Sequence, residues 1–513
     1  MQVIIFALSL TLTLLFFMYG FNHYYLLNAT RTYQPPVLPV NPFIKPEVSI
    51  HLPVYNERYV IRRLVAASAA MAEAYGIEKV SILILDDSDD DTAQEVDKVV
   101  KEYLEKHFKI EILRREDRSG YKAGALQAAL ERTKEEFIAI FDADFIPPTD
   151  FLLLTLPYFA EEEHLGIIQS RWTHLNRDYN FLTRAIALGI DIHFLIEQTG
   201  RYAAGCFQNF NGSGGVLRKK AILQAGGWSA DTLAEDLDLS YRLQSLGYKI
   251  LYLKDLHSSG ELPPTIPSFM KQQGRWANGS LRTARKILPG LLPDRKFGLK
   301  QRLQAFIHLT GFMIQPLMVL SFILTCLTSV SGLSAPSISR LNTFIPANGN
   351  LIIAGAAPIT SLQNLIWGIL LPFIVLCTLA PWISSLTTLK FQSLSPMRNL
   401  PTLFVLLLLG FGLSLSNTRE AGKALLSNRI WEFNRTPKYA DLQHKQDWRK
   451  RRYQSSMDPI WMAEVFFILL GLLAIESGIR YSNFSVLLIL VPFTISYAFV
   501  LLFSILQSRK TKA

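Results

Sequence analysis

The sequence predicts an α/β domain with a mixed, mostly parallel sheet, together with an α-helical transmembrane region. Three observations support this fold class. Half of the 513 residues are apolar, but the charged residues crowd into the middle of the chain. From residue 48 onward, strand-like apolar runs alternate with helical patterns, which is typical of a parallel sheet covered on both faces. Long apolar runs lie at the amino terminus and after Leu288, and about 20 apolar residues suffice to span a bilayer.

The net charge of +10 indicates basic loops on the cytoplasmic side of a membrane. It is not accompanied by a nucleic-acid-binding motif, so we expect no nucleic-acid partner. Cys206, Cys326 and Cys377 share no ligand spacing, which argues against a disulfide framework or a zinc site.

The amino-terminal run, residues 2–19, predicts a membrane anchor within residues 1–30. It lacks the basic start and the shorter apolar core of a cleavable signal peptide. Arg31 and Lys45 follow the run and nothing basic precedes it, so the side after the anchor is expected to be cytoplasmic. The Pro-rich stretch 35–46 then predicts a semi-rigid spacer.

Carboxylates follow the first two predicted strands. The strand Val48–Leu52 is followed by Glu57, and the strand Val80–Leu85 is followed directly by Asp86 and Asp87. Ligands of parallel sheets bind outside the carboxyl ends of the strands, so these three side chains are candidates for holding a nucleoside. The alternative is that this acidic run only caps the next helix, although it contains more carboxylates than one cap needs.

Cations precede the next predicted helix, residues 123–132. They are Arg114, Arg115, Arg118 and Lys122. Cations at a helix start can cradle a diphosphate, whereas the alternative is a solvated basic face. Their placement near the acidic pair described next favours the diphosphate.

Asp142 and Asp144 follow the apolar strand Phe137–Phe141, and Pro147-Pro148 then prevents a helix and fixes a loop. Two carboxylates one residue apart can share one hard divalent cation, whose other ligands come from water and substrate phosphates. Such pairs also occur on ordinary surfaces, so the argument depends on this strand-to-loop context.

Three further stretches suggest sugar chemistry. The Gly-rich loop Phe210–Gly215 allows close approach of the backbone to a sugar, but it lacks the ending of a phosphate-binding P-loop. Glu235 and Asp236 begin a helix, where acidic residues are favourable on dipole grounds alone; the functional alternative makes Asp236 a general base. In Gln272–Trp276, the Trp is either a core aromatic or a platform for a pyranose ring.

Taken together, these motifs resemble the processive membrane branch of glycosyltransferase family 2, which includes cellulose, hyaluronan and chitin synthases. The motifs that carry the resemblance are Asp86-Asp87, Asp142-Ala143-Asp144, Ala234-Glu235-Asp236 and Gln272-Gln273-Gly274-Arg275-Trp276. Further stretches are similar to the plant cellulose-synthase-like A glucomannan synthases, namely Gln169-Ser170-Arg171-Trp172, Phe210-Asn211-Gly212-Ser213 and Gly260-Glu261-Leu262-Pro263. The resemblance covers about residues 46–290, the predicted catalytic domain.

The resemblance implies an inverting transfer by a cytoplasmic, nucleotide-sugar-binding domain of the glycosyltransferase A type. It implies a set of donor-binding residues: Glu57, Asp86, Asp87, Lys122, Asp142, Gln272 and Arg275. It also implies Asp144 with Asp142 as ligands of Mg²⁺ or Mn²⁺, and Asp236 with Glu235 as the catalytic pair. The implied acceptor-binding residues are Trp276, Asn211, Gly212 and Ser213. Ala234 stands where the family usually has Thr, and we expect only the local turn to differ.

The second half of the chain contains apolar runs near residues 303–328, 364–386, 400–416, 460–477 and 484–506. We therefore expect transmembrane regions at 300–417 and 460–507, with a basic cytoplasmic segment at 418–459 between them. Three crossings within 300–417, starting from a cytoplasmic domain, would place the segment 418–459 on the outside of the membrane. One run, such as 400–416, is therefore expected to lie at the interface or to re-enter.

The basic segment contains Phe433-Asn434-Arg435-Thr436-Pro437-Lys438, which resembles the gating loop of cellulose synthases with Arg435 in place of Val. The resemblance implies that Thr436 and Lys438 reach the donor diphosphate. The alternative is a basic segment lying on anionic lipid.

The leading hypothesis is an integral, multi-pass synthase of a β-linked glucan, mannan or glucomannan in a bacterial inner membrane. The expected partners are a nucleotide sugar, UDP-glucose or GDP-mannose, a glycan acceptor and the bilayer. Any export or regulatory partner is expected to act in trans. The alternatives are a single-addition transferase acting on ceramide or polyprenyl phosphate, and a non-catalytic scaffold. The residues do not select the donor.

Overall fold

The structure, a computed structural model, describes residues 2–37, 45–331, 358–427, 438 and 456–508, with side chains at all of these except 2–6 and 358–374. The chain divides into two compact units. We call the first, Tyr25–Thr310 with Gly422–Ser455, the α/β unit. The second, which we call the helical unit, comprises Met1–Tyr24, Gly311–Ala421 and Ser456–Ala513.

A seven-stranded sheet forms the centre of the α/β unit, in the order β3-β2-β1-β4-β6-β5-β7. The strands are β1 Val48–Val54, β2 Val80–Asp86, β3 Lys109–Leu113, β4 Phe137–Ile140, β5 Leu165–His174, β6 Gly215–Arg218 and β7 Lys249–Gly260. The strand β6 runs antiparallel to both of its neighbours, and the other pairs are parallel. The sheet is therefore mixed and mostly parallel, which confirms the predicted fold class.

The helices of this unit follow the strands in the alternation that the sequence predicts. They are α1 Gln2–Ala29, of which only the last residues belong to this unit, α2 Ile61–Tyr75, α3 Thr92–Leu104, α4 Tyr121–Arg132, α5 Phe151–Thr155, α6 Tyr158–Glu161, α7 Phe181–Ile192, α8 Thr199–Ala203, α9 Lys219–Gln224, α10 Glu235–Ser245, α11 Ile266–Leu291 and α12 Leu299–Leu309. A π-helical turn, His193–Gln198, separates α7 from α8.

Apolar side chains cover the sheet on both faces, because successive residues of a strand point to opposite sides. On β2, Ile82 and Ile84 belong to one apolar cluster with residues of α2 and α3. Leu83 and Leu85 belong to a second cluster with residues of α4. Burial on both faces fixes the strands, and so it fixes the positions of the loops that follow them.

The α/β unit is longer than the predicted catalytic domain 46–290, since it extends to Thr310 and includes α12. The helix α12 is tied to this unit by polar contacts. Ser280 Oγ donates to the carbonyl of Leu309 at 2.9 Å, and Tyr241 Oη lies 2.8 Å from His308 Nδ1. The first residues of the apolar run 303–328 therefore belong to the α/β unit, and the helical unit resumes at Gly311.

After Thr310 the described residues form six α-helices, which belong to the helical unit except for the last residues of α16. They are α13 Ile314–Val330, α14 Pro358–Phe391, α15 Leu400–Gly412, α16 Ser414–Leu426, α17 Trp461–Arg480 and α18 Leu487–Gln507. Of the described segments, Gly311–Val330, Trp461–Arg480 and Phe484–Gln507 are long and apolar enough to cross a membrane. They indicate association with a membrane.

The helices α15 and α16 are bent by 43° relative to each other, and together they count as a fourth candidate span. Such a break marks either a broken span or a re-entrant segment. The break, at Leu413, lies within the run 400–416, where the sequence predicts an irregular crossing. The helix α1 covers the predicted anchor 1–30, but it is not among the candidate spans of the described residues, so the anchor stays a prediction.

Candidate active site

A cleft in the α/β unit lies at the carboxyl ends of β1, β2 and β4, and residues after β5 and β7 complete its wall. Most of the residues predicted for the site line this cleft. They are Glu57, Asp87, Lys122, Asp142, Asp144, Asn211, Gly212, Glu235, Asp236, Gln272, Arg275, Trp276 and Lys438. Asp86 and Ser213 lie outside its lining, and Thr436 lies outside the described residues.

Asp236 lies in the first turn of α10, against the loop that contains Gly212. Its Oδ1 accepts a hydrogen bond from the Leu237 amide at 2.8 Å. A Cβ placed on Gly212 would lie 2.8 Å from Asp236 Oδ2, and Gly212 has a φ of +81°. Only glycine combines this backbone conformation with so close an approach. The loop therefore brings its bare backbone directly against the carboxylate.

The environment of Asp236 favours its neutral form. Burial, and next the neighbouring charge of Glu235, raise the pKa of Asp236 to about 7, although Lys122 acts in the opposite direction. A carboxylate with a pKa near neutrality is a stronger base than an ordinary carboxylate, and a large share of it is still in the basic form at physiological pH, so it can accept a proton from a hydroxyl. This is the property required of a general base.

Lys122, in the first turn of α4, joins the two sides of the cleft. Its Nζ lies 2.6 Å from Asp142 Oδ1, 3.7 Å from Glu235 Oε1 and 2.9 Å from the carbonyl oxygen of Gly212. Burial alone disfavours the charged form, but the surrounding carboxylates, Asp142 and Glu235 foremost, outweigh it and raise the pKa of Lys122. The side chain is therefore a fixed cation.

Asp144 lies at the end of the loop after β4 and is held by groups from three directions. Its Oδ2 accepts from the Glu261 amide at 3.1 Å and from Lys438 Nζ at 2.6 Å. Lys438 also donates to the Glu261 carbonyl at 3.0 Å. Arg63 donates to the Asp144 carbonyl and to the Glu261 carboxylate, which ties this loop to the end of β7.

The donor set fits a divalent cation that a substrate completes. No group of three or more His, Cys, Asp or Glu side chains among the described residues could hold a metal by itself. Asp142 and Asp144 nevertheless present two carboxylates at the cleft. Mg²⁺ and similar hard cations commonly take one or two carboxylates and obtain their remaining ligands from water and phosphates.

Tyr55, which the sequence did not single out, stacks in the cleft wall on Arg118, one of the cations predicted to cradle a diphosphate. The guanidinium of Arg118 lies 3.2 Å from the centroid of the Tyr55 ring. Asp87 lies nearby and receives two bonds from Arg115, at 2.5 and 3.0 Å. The only sequence signal for Tyr55 was an aromatic residue next to Asn56-Glu57 at the end of a strand.

Asp86, which the resemblance assigns to donor binding, lies outside the lining of the cleft. Its side chain is fully buried, and its Oδ2 accepts from Arg114 Nε at 2.9 Å. Its Oδ1 accepts from the Ser88 amide at 3.1 Å. Adjacent residues at a strand end point in opposite directions, so Asp87 faces the cleft and Asp86 does not. The structure thus makes Asp86 a residue that holds the loop after β2.

Ser213, which the resemblance assigns to acceptor binding, also lies outside the lining of the cleft. It is fully buried, and its Oγ accepts from the Asp142 amide at 3.0 Å. Its carbonyl accepts from Trp172 Nε1 at 2.9 Å and from Gln169 Nε2 at 3.1 Å. These bonds use Ser213 to position the neighbouring cleft residues rather than to contact an acceptor.

Gln272, Arg275 and Trp276 lie on α11 at a spacing of three and four residues, which places them on one face of the helix. All three line the cleft. Burial lowers the pKa of Arg275. Nearby carboxylates raise it, and the charges of Glu235 and Asp142 have the strongest effect among them. The guanidinium is therefore surrounded by acidic groups of the site.

Two models of sugar-transferring families match the chain. Glycosyl transferase family group 2 matches residues 137–415, and Glycosyl transferase family 2 matches residues 49–214. Since the first match covers more than half of the chain, the chain belongs to glycosyl transferase family group 2. This confirms the recognition made from the motifs.

Two plant relatives are similar over part of the chain. "Probable glucomannan 4-beta-mannosyltransferase 4" of Oryza sativa subsp. japonica is 33% identical over 61% of this chain and 57% of its own. "Glucomannan 4-beta-mannosyltransferase 2" of Arabidopsis thaliana is 36% identical over 49% of this chain and 47% of its own. The chain thus spans about half the length of the curated relatives it matches.

Among solved structures, the chain is similar to "Mannosyltransferase PcManGT from Pyrobaculum calidifontis in complex with GDP-Man and Mn2+". The sequence identity is 19%, the TM-score is 0.51, and the match covers 73% of this chain and 98% of that one. At this identity the similarity establishes the fold of the domain.

Proposed function

We propose that this protein is an inverting membrane glycosyltransferase that transfers a hexose from a nucleotide sugar to a growing β-linked polysaccharide. The observation that carries the proposal is the buried carboxylate of Asp236, with its raised pKa, beside Lys122 and Gly212. Mannose from GDP-mannose is the first donor to test. Both plant relatives are named as glucomannan mannosyltransferases, and the similar solved structure is titled as a complex with GDP-Man.

In the proposed reaction, Asp236 removes the proton from a hydroxyl of the acceptor. The hydroxyl oxygen attacks the anomeric carbon, the bond from that carbon to the diphosphate breaks, and the nucleoside diphosphate leaves with the bonding electrons. Attack opposite the leaving group inverts the configuration. A base with a pKa near the working pH is the most effective proton acceptor for such a step.

Cations that face the cleft would stabilise the charge that develops on the leaving diphosphate. Lys122, Arg275 and Lys438 are positioned for this role, because all three line the cleft. Electrostatic groups that are fixed before the reaction are the most effective contributors of this kind. Asp142 and Asp144 would hold Mg²⁺ or Mn²⁺, which when bound would neutralise further charge on the diphosphate.

The other residues of the cleft fit the nucleoside of the donor and the sugar of the acceptor. Tyr55 and Arg118 present flat groups on which a nucleobase can stack, with Glu57 and Asp87 as acceptors for ribose or base hydrogen bonds. Trp276 offers an indole ring to the acceptor sugar, beside Asn211 and Gly212. The basic segment 418–459 supports a cytoplasmic position for this cleft. We extend the same proposal to a multi-pass arrangement in a bacterial inner membrane.

The test is incorporation of radiolabelled sugar by isolated membranes that contain the full chain. Labelled GDP-mannose and UDP-glucose are compared with and without Mn²⁺, and Asp236→Asn serves as the inactive control. The proposal expects label from GDP-mannose in long, alcohol-insoluble chains that a β-mannanase digests. Label found only in solvent-extractable lipid would show that the acceptor is a lipid and not a growing polymer. Incorporation that is unchanged in Asp236→Asn would overturn the proposed mechanism.

A further inference from the structure

The π-helical turn His193–Gln198 holds the loop before Gly212 at two points. Gln198 Nε2 donates to the Asn209 carbonyl at 2.9 Å, and His193 Nε2 lies 3.1 Å from Asn211 Oδ1. π-helical turns are rare and are found disproportionately near functional sites, where they redirect side chains. Here His193, the first residue of the turn, lies against Asn211 of the cleft wall.

The turn is itself anchored to the sheet. The carbonyl oxygen of Phe194, in the first half of the turn, accepts from Tyr252 Oη at 3.0 Å and from Thr199 Oγ1 at 2.8 Å. Tyr252 is a fully buried residue of β7. The two bonds satisfy the Phe194 carbonyl inside the irregular turn. They fix the position of the turn and therefore that of His193.

Hydrogen-bond accounting then fixes the orientation of the Asn211 amide. Its Oδ1 accepts from Asn209 Nδ2 at 2.6 Å and lies 3.1 Å from His193 Nε2, so a hydrogen on Nε2 would occupy the second acceptor site of the oxygen. Its Nδ2 makes one long contact, 3.4 Å, with the Asn209 carbonyl. Since an amide nitrogen carries two hydrogens, the second remains to serve a ligand in the cleft that Asn211 lines.

Glu197 fixes the other end of the imidazole. Its Oε2 lies 3.2 Å from His193 Nδ1, and Arg201 Nη1 lies 3.7 Å from the same oxygen. A hydrogen on Nε2 lets the ring donate to Asn211 Oδ1. The direction of the imidazole, and with it that of the Asn211 amide, is thereby set from behind the cleft.

We infer that His193 is a positioning residue, which orients Asn211 so that its Nδ2 donates a hydrogen bond to an oxygen of the acceptor sugar. Asn211 immediately precedes Gly212, whose backbone lies against Asp236, so the bond is made next to the carboxylate that takes the acceptor proton. The inference rests on the proposed function, because it assigns a contact to the acceptor of that reaction.

The experiment uses the full chain in detergent, with a nucleotide-sugar donor and a short β-1,4-mannan oligosaccharide as acceptor. It measures KM for each substrate and the fraction of donor that is hydrolysed without transfer. For His193→Ala we expect about a tenfold rise in the acceptor KM, no change in the donor KM, and a higher hydrolysed fraction. His193→Gln keeps an N–H donor at a similar reach and is expected to restore most of the transfer. His164→Ala, at an exposed position, is the matched control.

A double-variant cycle separates positioning from a general structural role. If His193 acts through Asn211, then His193→Ala combined with Asn211→Ala is no worse than Asn211→Ala alone. Additive losses, or an equal rise in both KM values with a lower thermal midpoint, would overturn the inference. So would a hydrolysed fraction equal to that of the wild type. A wild-type protein that forms no polymer from either donor would instead overturn the proposed function, and the inference with it.

Discussion

The carboxylates on the two sides of the cleft have opposite surroundings. On the side formed by the strand ends, three carboxylates lie against cations: Asp87 with Arg115 at 2.5 Å, Asp142 with Lys122 at 2.6 Å, and Asp144 with Lys438 at 2.6 Å. On the side formed by α10, the hydrogen bond that Asp236 receives from the described residues comes from the backbone amide of Leu237. Burial and Glu235 raise the pKa of Asp236.

The difference in surroundings suits the two groups of carboxylates to two tasks, ligand binding and proton transfer. A carboxylate in direct contact with a cation can exchange that partner for a metal ion or a ribose hydroxyl. A buried carboxylate without such a contact binds a proton more readily and suits the reacting hydroxyl. Environments that push the pKa values of neighbouring carboxylates apart are a general sign of divided roles. Substitutions that break this contrast should therefore have graded effects.

The largest effect is expected from removing the base. Asp236→Asn keeps the size of the side chain but cannot accept the proton, so we expect kcat for transfer to fall by a factor of about 10³ to 10⁴. Donor binding should change far less, because the donor residues lie on the other side. The measurement combines transfer kinetics with binding of a nucleoside diphosphate by calorimetry.

Asp231→Asn is the matched control for this substitution, because Asp231 lies in the loop before α10 and has a mostly exposed side chain paired with Lys286. It should retain transfer within about twofold of the wild type. If Asp236→Asn keeps more than a tenth of the wild-type kcat, the base must be sought elsewhere in the cleft.

A smaller effect is expected from displacing the carboxylate without removing it. Gly212→Ala would place a Cβ 2.8 Å from Asp236 Oδ2, and it would also strain the backbone at a φ of +81°. A misplacement of about 1 Å at a reacting group can cost roughly a hundredfold in rate, so we expect a loss of this order in kcat.

Gly247→Ala separates strain from displacement. Gly247 also has a positive φ, +92°, but a Cβ there would meet no atom of the described residues within 4 Å. It should lower the thermal midpoint through backbone strain alone and leave kcat close to that of the wild type. Equal losses of kcat in both variants would mean that the approach to Asp236 is unimportant.

The third prediction concerns pH. Asp236 is active as a base only when it is deprotonated, so kcat/KM should rise with pH and level off above about pH 7. Glu235→Gln removes a neighbouring negative charge that raises the pKa of Asp236. It should therefore move the acidic limb of the profile to lower pH, by about one unit. A limb that stays in place or moves upward in Glu235→Gln would contradict the cause assigned to the raised pKa.

The sequence was sufficient to predict where the site lies along the chain. Short apolar strands followed by Glu57, Asp87 and Asp142 predict that these side chains meet at one edge of a parallel sheet, and the structure places them there. This succeeds because the carboxyl ends of parallel strands meet at a common edge, whatever the details of packing.

The sequence could not predict in the same way which individual side chains point into the cleft. Period-two alternation states that Asp86 and Asp87 point apart, but a short acidic run does not reveal which of them faces the ligand. The role of Ser213 depends on a contact with Asp142 across 71 residues, and that of His193 depends on a π-helical turn without a sequence signature. The extension of the α/β unit through α12 likewise depends on long-range packing.

The smallest effect is expected at Asp86, the carboxylate that the structure removes from the site. Asp86→Asn weakens a buried contact with Arg114 and leaves the cleft unchanged. Hydrogen bonds to charged groups contribute roughly 2 kcal/mol, so the thermal midpoint should fall by a few degrees while kcat and both KM values stay within about twofold of the wild type. Asp87→Asn provides the contrast. It should raise the donor KM, and its thermal midpoint should be similar to that of Asp86→Asn. A raised donor KM in Asp86→Asn, without a lower midpoint, would return Asp86 to the donor site and would show that both carboxylates of the pair serve binding.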